Sequence, residues 1–90
     1  MSFSSHKRNA LDATRPLHWR MSSLRSCALL VGQKYRVRFS SVMERVRQLS
    51  GVDITILVKD AETQVSEADI RRVLEVLVQI KNSGYDPPVE

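Results

Sequence analysis

The sequence predicts a small α+β domain that is mainly helical and has a flexible basic N-terminus. Three observations carry this prediction: an amphipathic stripe near the C-terminus, a β-branched run in the middle, and a first third rich in Ser and Arg. Ninety residues suffice for one domain with a modest core. We divide the chain into a basic leader, residues 1–40, and a small helical interaction module, residues 41–90.

The leader concentrates the positive charge of the chain. Residues 1–39 carry eight Lys or Arg side chains against Asp12, a net charge of +7, whereas residues 40–90 have a net charge of −3. An Arg- and Ser-rich segment with almost no acids is typical of an organelle transit peptide. We therefore predict a mitochondrial address, with the chloroplast as the alternative. A disordered basic tail and a first folded helix are the other two interpretations.

Residues 34–39 alternate between cations and bulky residues. As a strand they would place Lys34, Arg36 and Arg38 on one face, as ribbon-helix-helix proteins do when they read DNA. This interpretation predicts a small nucleic-acid-binding homodimer that uses those three side chains. The same residues also fit a helical stripe that runs from Leu24 to Leu49, so neither period excludes the other.

The middle of the chain predicts a short helix and a strand. Ser41 followed by Glu44 forms a capping-box pair, and Gly51 is a suitable stop, so we predict a helix over 41–50. Residues 52–58 are rich in β-branched side chains that alternate, which predicts a strand. Its hydrogen bonds would need a partner, either residues 34–39 or another chain.

The C-terminal segment predicts an amphipathic helix over 66–83. Ser66 is a good N-cap, Lys81 lies in the last turn, and Gly84 can take the conformation that ends a helix. Its apolar residues recur at helical spacing and form one stripe. In so small a chain the core and a docking face can be the same surface. The predicted partner-docking residues are Ile70, Val73, Leu74, Leu77, Ile80 and Tyr85.

From Val52 onward the sequence resembles the C-terminal E/E+ region of plant organellar pentatricopeptide repeat proteins of the RNA-editing type. In that family a short strand ends on an apolar residue and Asp, a polar loop follows, and a helix closes on G-Y-x-P. Asp60 takes the strand end here, and Gly84, Tyr85 and Pro87 take the close. The resemblance covers roughly the last 40 residues. The segment that pairs with the strand, the tandem repeats and the deaminase signature are all missing, so the chain resembles a truncated member.

The resemblance implies a non-catalytic organellar module that docks an RNA-processing partner through its C-terminal helix. A deaminase-bearing editing factor is one candidate partner, and RNA is a second. We expect no enzyme activity and no cofactor, since the single cysteine, Cys27, lacks the ligands of a zinc or nucleophilic site. No apolar run is long enough to predict a membrane span. The alternative function is the basic nucleic-acid-binding homodimer, and the third hypothesis is a gene fragment without a function of its own.

Overall fold

The computed structural model describes residues 2–53 and 66–84, and these residues form four helices. They are α1 (Phe3–Leu11), α2 (Leu17–Tyr35), α3 (Phe39–Ser50) and α4 (Glu67–Ser83). Ser2 caps α1 by accepting a hydrogen bond from the Ser5 N–H. Pro16 is the N-cap of α2, a position whose N–H would have no partner within the helix, so its absence removes no helical hydrogen bond.

The predicted α+β fold is wrong, because the described residues form helices and turns only. Residues 34–39, the candidate partner for a strand at 52–58, are instead the end of α2, a turn and the first residue of α3. Val52 and Asp53 are not in a strand, and the remainder of the predicted strand lies outside the described residues. In residues 34–39 the structure follows neither period throughout, because the helical stripe continues to Tyr35, is interrupted by the turn and resumes in α3.

The prediction of a flexible basic N-terminus is also wrong. α2 places Met21, Leu24, Ala28 and Val31 at helical spacing, and all four side chains are buried. α1 packs against both α2 and α4. Residues on both sides of the predicted boundary at residue 40 thus contribute to one core. The organelle address stays a prediction, and cleavage near residue 40 would remove two of the helices that build this core.

The core lies where α4 meets the other three helices. α4 has the cap predicted for it, since Ser66 accepts a hydrogen bond from the Ala68 N–H, and Gly84 follows the last turn with a φ of 94°. Its apolar stripe is buried against residues of α1, α2 and α3. The buried apolar side chains of α4 are Ile70, Val73, Leu74, Val76, Leu77 and Ile80.

A buried arginine joins three helices at one end of this core. The Nη1 and Nη2 of Arg20 donate to the two carboxylate oxygens of Glu67, each at 2.6 Å, and its Nε donates to the Ala10 carbonyl at 2.9 Å. Only 6% of the Arg20 side chain is exposed, against 51% for Glu67. The hydrogen bonds from Arg20 lower the pKa of Glu67, so the carboxylate is ionised and the pair is charge-assisted. Arg20, near the start of α2, thereby connects the start of α4 with the end of α1.

Three further hydrogen bonds hold the C-terminal ends of α2 and α3 on α4. The Tyr35 hydroxyl donates to the Lys81 carbonyl at 2.6 Å, and Lys34 Nζ donates to the same oxygen at 2.8 Å. Arg72 Nε donates to the Ser50 carbonyl at 2.7 Å. Because α2 and α3 are each attached to α4 at their C-terminal ends, the turn between them is held in place by the rest of the fold.

Candidate nucleic-acid interface

The connection between α2 and α3 is a turn of three residues, Arg36, Val37 and Arg38. The Val37 N–H donates to the Gly32 carbonyl at 2.9 Å, and the Arg36 N–H donates to the Gln33 carbonyl at 3.4 Å. These two bonds form the Schellman pattern that ends a helix around a left-handed residue. Arg36 is that residue, with a φ of 53°, and no other non-glycine residue among those described has a positive φ.

Gly32 allows the turn to fold closely onto α2. A Cβ placed at Gly32 would lie 2.9 Å from the Val37 carbonyl oxygen and 3.5 Å from Cγ2 of Val42. A contact below 3 Å to a backbone oxygen cannot be relieved by a side-chain rotation. The absence of a side chain at residue 32 therefore sets how closely α3 approaches α2.

α3 buries one side and leaves the other open. Val42, Met43, Val46 and Ser50 are buried on the core side. The opposite side carries the exposed polar side chains of Ser40, Glu44, Arg47 and Gln48. A helix, a turn of three residues and a second helix with exposed polar residues give the element order of a helix-turn-helix unit.

Cations surround the N-terminal end of α3. Arg38 is its N-cap and makes no capping hydrogen bond with its side chain, and the first turn holds no acid. Arg36 precedes it in the turn, and the Arg25 guanidinium lies 5.4 Å from the centre of the Phe39 ring. The helix dipole adds partial positive charge at the same place. By contrast, the first turn of α4 has its own acids, Glu67 and Asp69.

The three residues predicted to bind nucleic acid come together here, but not as a ribbon. Arg36 and Arg38 are exposed in the turn, while Lys34 is in the last turn of α2 and donates to the Lys81 carbonyl. The alternation that suggested a strand reflects a helix end followed by a turn. Lys34 therefore has a structural hydrogen bond, and Arg36 and Arg38 remain as the cations of the turn.

The predicted docking residues on α4 lie in the core. Ile70, Val73, Leu74, Leu77 and Ile80 are each at most 4% exposed, so in this conformation they contact other helices of the chain and offer no surface to a partner. Tyr85 lies outside the described residues. The position of the stripe in the sequence was predicted correctly, but its residues pack against other helices of the same chain.

Sequence reasoning missed Gly32 and the outward face of α3. One signal was available: Gly32 lies one helical turn after Ala28 in the stripe, where an apolar side chain would be expected. The left-handed conformation of Arg36 had no such signal, because arginine seldom adopts it.

Cys27 is fully buried, and its burial raises the pKa of the thiol to about 11, so the nucleophilic thiolate does not form near neutral pH. No group of three or more His, Cys, Asp or Glu side chains in residues 2–53 and 66–84 is placed to hold a metal ion. None of the described helices combines the length and apolar character needed to cross a membrane.

Comparison of the chain with models of protein families, with curated proteins and with solved structures gave no match.

Proposed function

We propose that this protein binds double-stranded DNA and that α3 is the helix that enters the major groove. The observation that carries the proposal is the α2–turn–α3 unit, in which Gly32 and the Schellman turn fix α3 while its polar face stays uncovered. The 12 residues of α3 give a helix about 18 Å long. A helix with its side chains is about 10–12 Å across, which fits a major groove about 12 Å wide and 8.5 Å deep. Ser40 and Gln48 carry donors and acceptors of the kind that read base edges.

The cations around the start of α3 are suited to the phosphates that flank the groove. Arg25, Arg36 and Arg38 belong to α2, the turn and the N-cap, so they can contact the DNA backbone while the helix faces the bases. Phosphate contacts supply most of the affinity for DNA and make it depend on salt. An uncapped helix N-terminus adds a further site that favours anions.

The first test is reversal of one charge beside α3. We expect Arg38→Glu to weaken binding to a random-sequence duplex by about tenfold at low salt. The slope of log affinity against log salt concentration should fall by the equivalent of about one phosphate contact or more. Fluorescence anisotropy with a labelled duplex, measured at several salt concentrations, gives both quantities. The stoichiometry of the same titration distinguishes a monomer from the homodimer predicted from the sequence.

The matched control is Arg8→Glu, which makes the same change of charge on the exposed side of α1. Since α1 packs against α2 and α4, this variant alters net charge away from the proposed interface. An equal loss of affinity in both variants would mean that binding follows net charge and not the α3 surface. No binding of wild-type protein at low salt would overturn the proposal.

A second test uses the left-handed turn residue. Glycine adopts this conformation without the steric cost that a side chain adds, so we expect Arg36→Gly to stabilise the fold by about 1 kcal/mol or less, since glycine also gains entropy when unfolded. The same substitution removes a cation from the proposed interface and should weaken DNA binding several-fold. Chemical denaturation and anisotropy measure the two effects separately. A variant that is more stable and binds DNA as well as wild type would exclude Arg36 from the interface.

The hypothesis of a docking module, drawn from the resemblance to pentatricopeptide repeat proteins, needs a surface other than the buried stripe of α4. It remains a hypothesis, as do the organellar location and the RNA-processing partner. The DNA titration separates the two ideas, because a module that acts only through protein contacts would show no salt-dependent affinity for a duplex.

A further inference from the structure

An ion pair occupies the outward face of α3. The Arg47 Nε donates to Glu44 Oε2 at 3.1 Å, and the Arg47 Nη2 donates to Glu44 Oε1. Both side chains are 51% exposed, so the pair lies on the open surface and supports no part of the core. Glu44 and Arg47 are three residues apart, which places them on the same side of the helix.

Glu44 is the one acidic residue of α3, on the face that would meet a polyanion. Its hydrogen bonds with Arg47 lower the pKa of the carboxyl group, so at neutral pH the group is ionised and can only accept hydrogen bonds. Near phosphates a carboxylate opposes binding unless it meets a donor. Within the major groove the amino group of cytosine is such a donor, and Glu accepts from it in known recognition patterns.

Arg47 keeps donors available while it holds Glu44. Its guanidinium has five N–H groups, and the pair uses the Nε–H and one Nη2–H. The pair does not use the edge formed by Nη1 and the second Nη2–H, whose geometry suits two parallel hydrogen bonds. Guanine presents O6 and N7 as two acceptors at the spacing that suits this edge. The nearby Asp53 carboxylate acts on the same guanidinium through its charge.

We propose that Glu44 and Arg47 act as one unit that reads a G·C base pair, with Glu44 accepting from cytosine and Arg47 donating to guanine. The proposal rests on the proposed DNA binding and adds its sequence preference. Since the pair is already formed in the free protein, both side chains are oriented before they meet the DNA.

The test is selection from a duplex library with a randomised centre, followed by affinities for the selected site and its single-base variants. We expect the wild-type site to contain a fixed G·C pair, and exchange of that pair to cost about tenfold in affinity. Glu44→Ala should reduce this discrimination, because the acceptor for cytosine is lost while Arg47 still donates to guanine, and it should raise the affinity for unselected DNA, because a negative charge is lost. Glu44→Gln should reduce the discrimination less, because its amide oxygen still accepts but without the charge that strengthens the hydrogen bond.

Glu75→Gln serves as the control, since Glu75 is exposed at the cleft that Lys7 and Arg71 line between α1 and α4. It should leave the selected site unchanged. The proposal that Glu44 and Arg47 read a G·C pair would be wrong if the wild-type protein bound all duplexes equally, or if both Glu44 variants kept the full preference of wild type. Either result would leave the proposed DNA binding intact. Failure of wild type to bind any duplex would overturn both.

Discussion

We expect Leu77→Asp to leave the protein unfolded and Leu77→Ala to lower its free energy of unfolding by about 2–5 kcal/mol. Leu77 is fully buried in the middle of α4, and its removal leaves a cavity among the packed helices. A domain of this size has a total stability of only about 5–15 kcal/mol. Far-UV circular dichroism during chemical denaturation measures the effect of both substitutions on the full chain.

Gln79→Ala is the appropriate comparison, because Gln79 is exposed on the same helix and its truncation should change stability by no more than about 0.5 kcal/mol. The experiment also decides how the α4 stripe is used. If Leu77→Asp kept the wild-type spectrum and denaturation midpoint, the stripe would not be core, and its interpretation as a docking face would be restored.

The second large effect is expected at Gly32. In Gly32→Leu even the Cβ would overlap the Val37 carbonyl oxygen, and that oxygen belongs to the turn that connects α2 to α3. Since the turn cannot move without straining the hydrogen bond from the Val37 N–H to the Gly32 carbonyl, we expect a loss of about 1–3 kcal/mol of stability. The displaced α3 should also lose most of its affinity for DNA under conditions in which the variant is still helical.

Gln33→Leu places the same side chain one residue later, at an exposed position of α2. It should change neither the free energy of unfolding nor the affinity for DNA strongly. Denaturation curves and DNA titrations on the two variants form the measurement. If Gly32→Leu matched Gln33→Leu in both, the close approach of the turn to α2 would not determine the position of α3.

The candidate site was only partly readable from the sequence. The alternation of cations with bulky residues drew attention to Lys34, Arg36 and Arg38, and the structure leaves Arg36 and Arg38 exposed beside the start of α3. Their geometry was misread as a strand, because alternation over six residues fits a helix end and a turn equally well. Glu44 was interpreted as part of a capping box, whereas α3 begins two residues earlier than predicted and its Glu44 pairs with Arg47 on the outer face.

Local chemistry by itself determined α4: a serine cap, a stripe of apolar residues and a terminating glycine act within one segment, so they can be recognised without knowledge of the fold. The tertiary structure alone decided the state of residues 34–39, where two periodicities competed. Burial of Leu24, Ala28 and Val31 against the other helices favours the helix, whereas a strand would have needed a partner that the described chain does not provide. It also decided which face of α3 remains open, because that depends on where α2 and α4 lie and not on the residues of α3 alone.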